Sequence, residues 1–165
     1  MNEIFERISV RKFQDRAVEE EKLIQLLRAA MAAPSAGNQQ PWEFYVVTDR
    51  EKIRQLSQIS PYAACAANAP AAIVPCYRTE GLRWNETVLI DLACAVENIL
   101  LEITSLGLGG VWLCAAPLED RMEKAEAALA IPGNLRAYAV IPLGYPAEDR
   151  TPPQRFDQSR IHFIR

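Results

Sequence analysis

Histidine is almost absent from this chain: among 165 residues only His162, close to the C-terminus, carries an imidazole. This argues against a histidine-based metal site and against a Ser-His-Asp triad elsewhere in the sequence. A large excess of one charge is also missing. The formal net charge of -3 and the lack of any polybasic run give no electrostatic case for nucleic acid. No uninterrupted apolar run is long enough to span a bilayer. The nearest candidate, Thr87 to Leu106, contains Asp91, Glu97 and Glu102, which fits a buried helix and not a membrane span. The opening stretch MNEIFERISVRKF has no apolar core of the kind a secretory signal needs, so a cytoplasmic protein without a membrane partner is expected. Cysteine is sparse. Cys65, Cys76, Cys94 and Cys114 form no C-x-x-C pair, sit among apolar neighbours, and read as reduced core thiols.

Several catalytic signatures are missing as well. There is no G-x-x-x-x-G-K phosphate loop, no G-x-S-x-G nucleophile elbow and no H-E-x-x-H zinc motif. Gly107-Leu108-Gly109-Gly110 does not make a dinucleotide fingerprint. Position 112 is Trp where glycine is required, and the run leaves a helix for a strand, the reverse of the required order. Either the protein does no chemistry, or a cofactor carries it and the chain supplies binding, orientation and electrostatics.

Half of the residues are hydrophobic and 24% are charged, a composition that buries a real core. The length suggests a single domain over 1–165. Helices are expected at Asn2 to Ile8, with Asn2 as a cap, at Val18 to Ala33, Arg50 to Leu56, Thr87 to Leu106 and Leu118 to Leu129. Strands are expected at Phe44 to Thr48, Ala71 to Pro75, Val111 to Leu113 and Ala137 to Leu143. The segment Thr87 to Leu106 is apolar on nearly every face. It needs cover on all sides, which a dimer interface would provide. The stretch after Gly144, with Pro146, Pro152 and Pro153, reads as an extended tail that must lie on something. Helices interleaved with short strands point to an α+β architecture.

Four constellations stand out. In extended backbone Arg7, Ser9 and Arg11 share one side, where two guanidinium forks and a hydroxyl suit a phosphate monoester; a solvated basic surface is the alternative. Pro34-Ser35-Ala36-Gly37-Asn38-Gln39-Gln40-Pro41-Trp42 offers small residues for close ligand approach and polar groups for a heteroaromatic edge, or is an ordinary helix-to-strand loop. Gly107 to Pro117 either lies against a ring system or is a tight turn feeding a buried strand. Arg155 either completes the anion site or is a lone surface arginine.

Taken in order, these segments resemble the nitroreductase family. Arg7-x-Ser9-x-Arg11-x-Phe13 is similar to its N-terminal phosphate motif, and Pro34 to Trp42 to its P-S-x-x-N-x-Q-P-W loop. Asp91, Ala95 and Asn98 match D-x-x-x-A-x-x-N, Gly107 to Trp112 matches G-L-G-x-x-W, and Leu143-Gly144-Tyr145-Pro146 matches L-G-Y-P. Arg155-Phe156 with His162 resembles the family's tail, so the likeness covers about residues 4 to 163.

The resemblance implies an α+β fold, with a mostly antiparallel central sheet flanked by helices, and an intertwined homodimer with exchanged C-terminal tails and FMN at its interface. Arg7, Ser9, Arg11 and Arg155 would hold the FMN phosphate. Pro34, Ser35, Asn38 and Gln40 would contact the flavin from the partner subunit, and Leu113, Cys114 and Ala115 would face the ring near N5. It further implies ping-pong transfer of hydride from NAD(P)H through FMN to a small electron-poor acceptor such as a nitroaromatic or quinone. No catalytic side chain is required, and Tyr77, Arg83 and Trp84 would fall at a variable substrate pocket. Two positions depart from the pattern. Ile8 stands where a second arginine is common, and Leu113-Cys114-Ala115-Ala116-Pro117 replaces a segment with glycine and an aromatic. An FMN-binding protein without turnover, or an ene-type or dehalogenating enzyme of the same fold, are the alternatives.

Overall fold

A computed structural model of the chain describes residues 2–149 and 151–165. In chain order its elements are α1 (Glu3–Glu6), α2 (Glu20–Met31), β1 (Trp42–Val47), α3 (Arg50–Leu56), β2 (Ala71–Arg78), α4 (Val88–Ser105), β3 (Gly109–Gly110), β4 (Leu113–Cys114), α5 (Glu119–Leu129), β5 (Leu135–Ala137) and β6 (Ala139–Gly144). The sheet runs β1-β2-β6-β3, with β4 also on β6 and β5 also on β2, and every strand pair is antiparallel. The expected α+β architecture, an antiparallel sheet flanked by helices, is what the chain adopts.

The period of two along β2 builds both layers. Ala71 and Ile73 join the core under α2 and α4; Ala72, Val74 and Cys76 join the core under α3 and α5. A strand covered on both faces reads as one apolar run, which is why Ala71 to Pro75 shows no alternation. Side chains with essentially no exposed area, such as Leu26, Ile53, Leu56, Ile73, Leu92, Ile99 and Ile141, each contribute about 1.5–3 kcal/mol through burial. α3 occupies its expected span because Asp49 caps it, accepting the Lys52 amide at 2.8 Å.

Other expectations shift. α1 stops at Glu6, since Arg7 is already extended, and Asn2 makes no side-chain cap. β2 runs on through Pro75, which sequence reading takes as its end. Pro75 has no N–H to donate, and it falls in the gap where β2 changes partner, between the β6 pairing at Ala71 to Ile73 and the β5 pairing at Cys76 to Arg78. The strand expected at Val111 to Leu113 is split into β3 and β4, which pair with different parts of β6. α4 is not covered on all sides within one chain, because Ile90 is 63% exposed.

The N-terminal segment lies along β3. Ser9 bridges Gly110, and the Val10 amide donates to the Gly110 carbonyl at 2.9 Å. A Cβ at position 109 would stand 2.6 Å from the Val10 Cβ, so only glycine admits this approach. Phe13 bridges Pro146, which fixes the start of the tail beside the same segment. Beyond it Phe156, Phe163 and Ile164 are exposed. Among the described residues no helix is long and apolar enough to cross a membrane.

Candidate functional site

Because the N-terminal segment and the root of the tail run side by side, their polar groups converge. Ser9 and Arg11 from the first, and Asp149, Thr151 and Arg155 from the second, line an open cleft of about 640 Å³, with Ile8 and Pro153 as its apolar part. Two guanidinium groups and a hydroxyl form a donor set suited to a phosphate, opposed by one carboxylate, Asp149. Ser9 has a further polar interaction of its own. Arg7 does not line the cleft. Its guanidinium turns to α4, with Nε 3.5 Å from Glu97 Oε1 and the side chain largely covered.

The loop between α2 and β1 is held in an unusual backbone conformation. Gly37, Asn38 and Gln40 have φ of 55°, 54° and 47°. Left-handed backbone is uncommon outside glycine, and two further non-glycine residues adopt it within four positions. Side chains from α4, from β2 and from the loop itself impose it. Asp91 of α4, the buried charged residue of the core, accepts from the Ala36 amide at 3.0 Å and from Gln39 Nε2 at 2.8 Å. Gln39 also engages both backbone groups of Trp84, accepting from its amide at 3.1 Å and donating to its carbonyl at 3.0 Å. Arg78, at the end of β2, donates through Nη2 to the carbonyls of Gln39 at 3.0 Å and Gln40 at 3.1 Å. Within the loop the Gln40 amide donates to Ser35 Oγ at 3.0 Å, so that hydroxyl shapes the turn. Asn98 Nδ2 ties α4 to the Ala29 carbonyl of α2 at 3.0 Å, just ahead of the loop.

The third segment presents little side-chain chemistry. Leu113 and Ala115 are buried, leaving only their backbone for a ligand, and Cys114 is exposed between them. Cys114 Sγ donates weakly to the Ala116 carbonyl at 3.6 Å, while the Cys114 carbonyl accepts from Arg121 Nη1 at 3.4 Å. All four thiols are free, but the reading of all of them as core residues holds fully only for Cys76, where burial pushes the thiol up to about 12. Cys65 and Cys94 are half-buried. The L-G-Y-P tyrosine is a brace. Tyr145 donates to Glu19 Oε2 at 2.7 Å and accepts from Lys22 Nζ at 2.8 Å, and Arg16 stands 3.7 Å from its ring centroid. The phenol is the main cause that holds the exposed Glu19 carboxyl down at about 2.

Of the residues singled out in the sequence, Ser9, Arg11 and Arg155 meet in one cleft. Pro34, Ser35, Asn38 and Gln40, and Leu113, Cys114 and Ala115, do not line that cleft within one chain. Gln39 and Arg78 escaped the sequence reading. Gln39 falls on a variable position of the loop motif, and a strand-end arginine gives no local signal.

Comparison with known proteins gives the family. Residues 4–84 match the model of the nitroreductase family. The "Putative NADH dehydrogenase/NAD(P)H nitroreductase" of Methanothermobacter thermautotrophicus is 43% identical over 94% of this chain and 82% of its own length. Among solved structures, the FMN-dependent nitroreductase of Clostridium difficile R20291 superimposes with a TM-score of 0.91 at 30% identity, covering 99% of this chain and 98% of that one. A "putative nitroreductase in complex with fmn" from Desulfovibrio desulfuricans gives 0.84 at 29% identity, covering 99% and 95%. Shared sequence and shared fold, each over nearly the full length, make this chain a member of the nitroreductase family.

Proposed function

We propose that the protein is an FMN-dependent NAD(P)H oxidoreductase that works as a homodimer and reduces an electron-poor small molecule such as a nitroaromatic or a quinone. The observation that carries this reading is the cleft in which Ser9 and Arg11 meet Arg155. Its donor chemistry suits a phosphate monoester, which FMN carries at the end of its ribityl chain. FMN, when bound, supplies the redox chemistry, taking hydride equivalents from NAD(P)H and returning them to the acceptor.

This chain's residues bind and orient. Ser9, Arg11 and Arg155 hold the phosphate, and Arg7 joins them by exchanging Glu97 for it. Pro34, Ser35, Asn38 and Gln40 approach the flavin from the partner subunit, as a loop already fixed by Asp91, Gln39 and Arg78. The backbone of Leu113, Cys114 and Ala115 lies along the ring. Donor and acceptor take turns at the same face, so parallel initial-rate plots are expected.

The homodimer is supported by unpartnered apolar surface. Ile90 on α4 and Phe156, Phe163 and Ile164 in the tail are largely exposed within one chain, and an exchanged tail would bury them. The test is the visible spectrum of the purified protein, recorded anaerobically before and after NADH or NADPH and then a nitroaromatic or quinone. A flavin band that bleaches with the nicotinamide and returns with the acceptor is expected, on a species that sediments as a dimer. Failure to take up FMN would overturn the phosphate site. A flavin that bleaches but never reoxidises with any such acceptor would overturn the turnover.

A further inference from the structure

Trp84 is not a core residue, since it is 43% exposed. Its backbone, however, is firmly held. Both of its backbone polar groups are engaged by the Gln39 side chain, and its carbonyl also accepts from Thr87 Oγ1 at 3.0 Å. The indole edge rests on the loop: a Cβ at position 37 would lie 2.9 Å from Trp84 Nε1. Gly37 therefore serves two needs, a φ of 55° and a seat for the indole. The neighbouring Arg83 places its guanidinium 5.2 Å from the Trp84 ring centroid. Among the described residues it has no ion-pair partner, so its charge is available to a ligand.

We propose that Trp84 and Arg83 form the acceptor-binding platform, and that it selects planar aromatic acceptors bearing a negative charge. The inference rests on the reading that the Pro34 to Gln40 loop borders the flavin. Two physical facts carry it. A half-exposed indole on an anchored backbone, with its edge against Gly37, offers an apolar face to an aromatic ring. The Arg83 guanidinium at that ring, without an ion-pair partner among the described residues, complements a carboxylate or sulfonate on a bound aromatic. Gln39 keeps platform and loop in register, because it bonds to Trp84 on one side and to Asp91 on the other.

The test compares 4-nitrobenzoate with the isosteric, neutral 4-nitrobenzamide as acceptors. The wild-type enzyme is expected to prefer the anion. Arg83→Gln lowers the ratio of the two kcat/KM values about three- to fivefold, the scale of a partly exposed charge contact, and Arg83→Glu lowers it further. Trp84→Ala lowers kcat/KM for both acceptors about tenfold, and Trp84→Phe restores most of the loss because it keeps an aromatic face. Saturation-transfer NMR of 4-nitrobenzoate with the oxidised protein reads the platform without turnover, and the signal should weaken in Arg83→Gln and in Trp84→Ala. An unchanged ratio in both arginine variants, or NMR contacts indifferent to Trp84→Ala, overturns the proposal. If the protein took up no flavin but kept an NMR contact sensitive to Trp84, the platform would stand and the flavin reading would fall.

Discussion

Replacing Asp91 by alanine tests whether the loop's conformation is imposed from α4. The carboxylate accepts two hydrogen bonds, from the Ala36 amide and from Gln39 Nε2, at a site only 4% exposed. Hydrogen bonds to a charged group contribute about 1.5–3 kcal/mol each. Both donors sit in a half-exposed loop where water recovers part of the loss, so Asp91→Ala should cost about 2–4 kcal/mol. For a domain of this size that lowers Tm by roughly 5–15 °C. Asp91→Asn should cost less, about 1–2 kcal/mol: one oxygen still serves Ala36, while the new NH2 group confronts the Gln39 amide. Relief requires Gln39 to flip, which then disturbs its bonds to Trp84. The assay is urea unfolding with matched m-values, together with amide exchange at Ala36 and Trp84. A double-mutant cycle with Gln39→Ala should return a coupling of about 1–2 kcal/mol. Asp91→Ala within about 0.5 kcal/mol of wild type, with Ala36 equally protected, would refute the reasoning.

Gly109→Ala should destabilise by about 1–3 kcal/mol, as overpacking against Val10 does, and weaken FMN binding by displacing the segment that carries Ser9 and Arg11; unchanged stability in thermal unfolding would show that the segment can move aside. Arg155→Ala should raise the Kd for FMN by roughly ten- to a hundredfold in a fluorescence titration, and an effect under twofold would remove Arg155 from the phosphate site. Glu97→Gln should tighten FMN severalfold if Arg7 must leave Glu97 to reach the phosphate, and an unchanged Kd would argue that Arg7 stays structural. Tyr145→Phe should alter the acid limb of stability. Glu19 is depressed in the folded protein, so its contribution is full above the ordinary 4.5 and is lost as pH falls through about 2. Without the phenol that slope should flatten, with the gap between the two proteins widest above pH 4.5 and closing toward pH 2; parallel curves would show that Tyr145 does not hold Glu19 down.

What could be read from the sequence follows the range of the forces involved. α3 was legible to the residue because its start is set by a local cap, Asp49, and its end by the turn that follows. The 3.6 period of Leu23, Leu26 and Ala30 gave α2, but its ends moved inward, as Glu19 provides no side-chain cap. Strand ends were the weak point. Whether Pro75 terminates β2 depends on which neighbour lies beside it, and that neighbour is more than sixty residues away in β5 and β6. The split of β3 from β4 has the same origin. In the site, the spacing of Ser9 and Arg11 foretold a shared side, but not that Arg7 would be drawn to Glu97 on α4. Motif residues pointed to the loop, whereas the groups that set its shape, Gln39 and Arg78, act across space and leave no trace in spacing.

The left-handed turn at Gly37, Asn38 and Gln40 has a consequence for how this protein evolves. Non-glycine residues in that region of backbone space cost of order 1–3 kcal/mol each, and folding meets the cost before any ligand arrives. If the loop meets the flavin as proposed, the shape it presents is already set in the empty protein, and ligand affinity is not spent on ordering it. Glycine at position 38 or 40 would relax the backbone and free the chain at the same point, exchanging readiness for adaptability. Drift at these two positions would therefore loosen the loop and leave the fold intact.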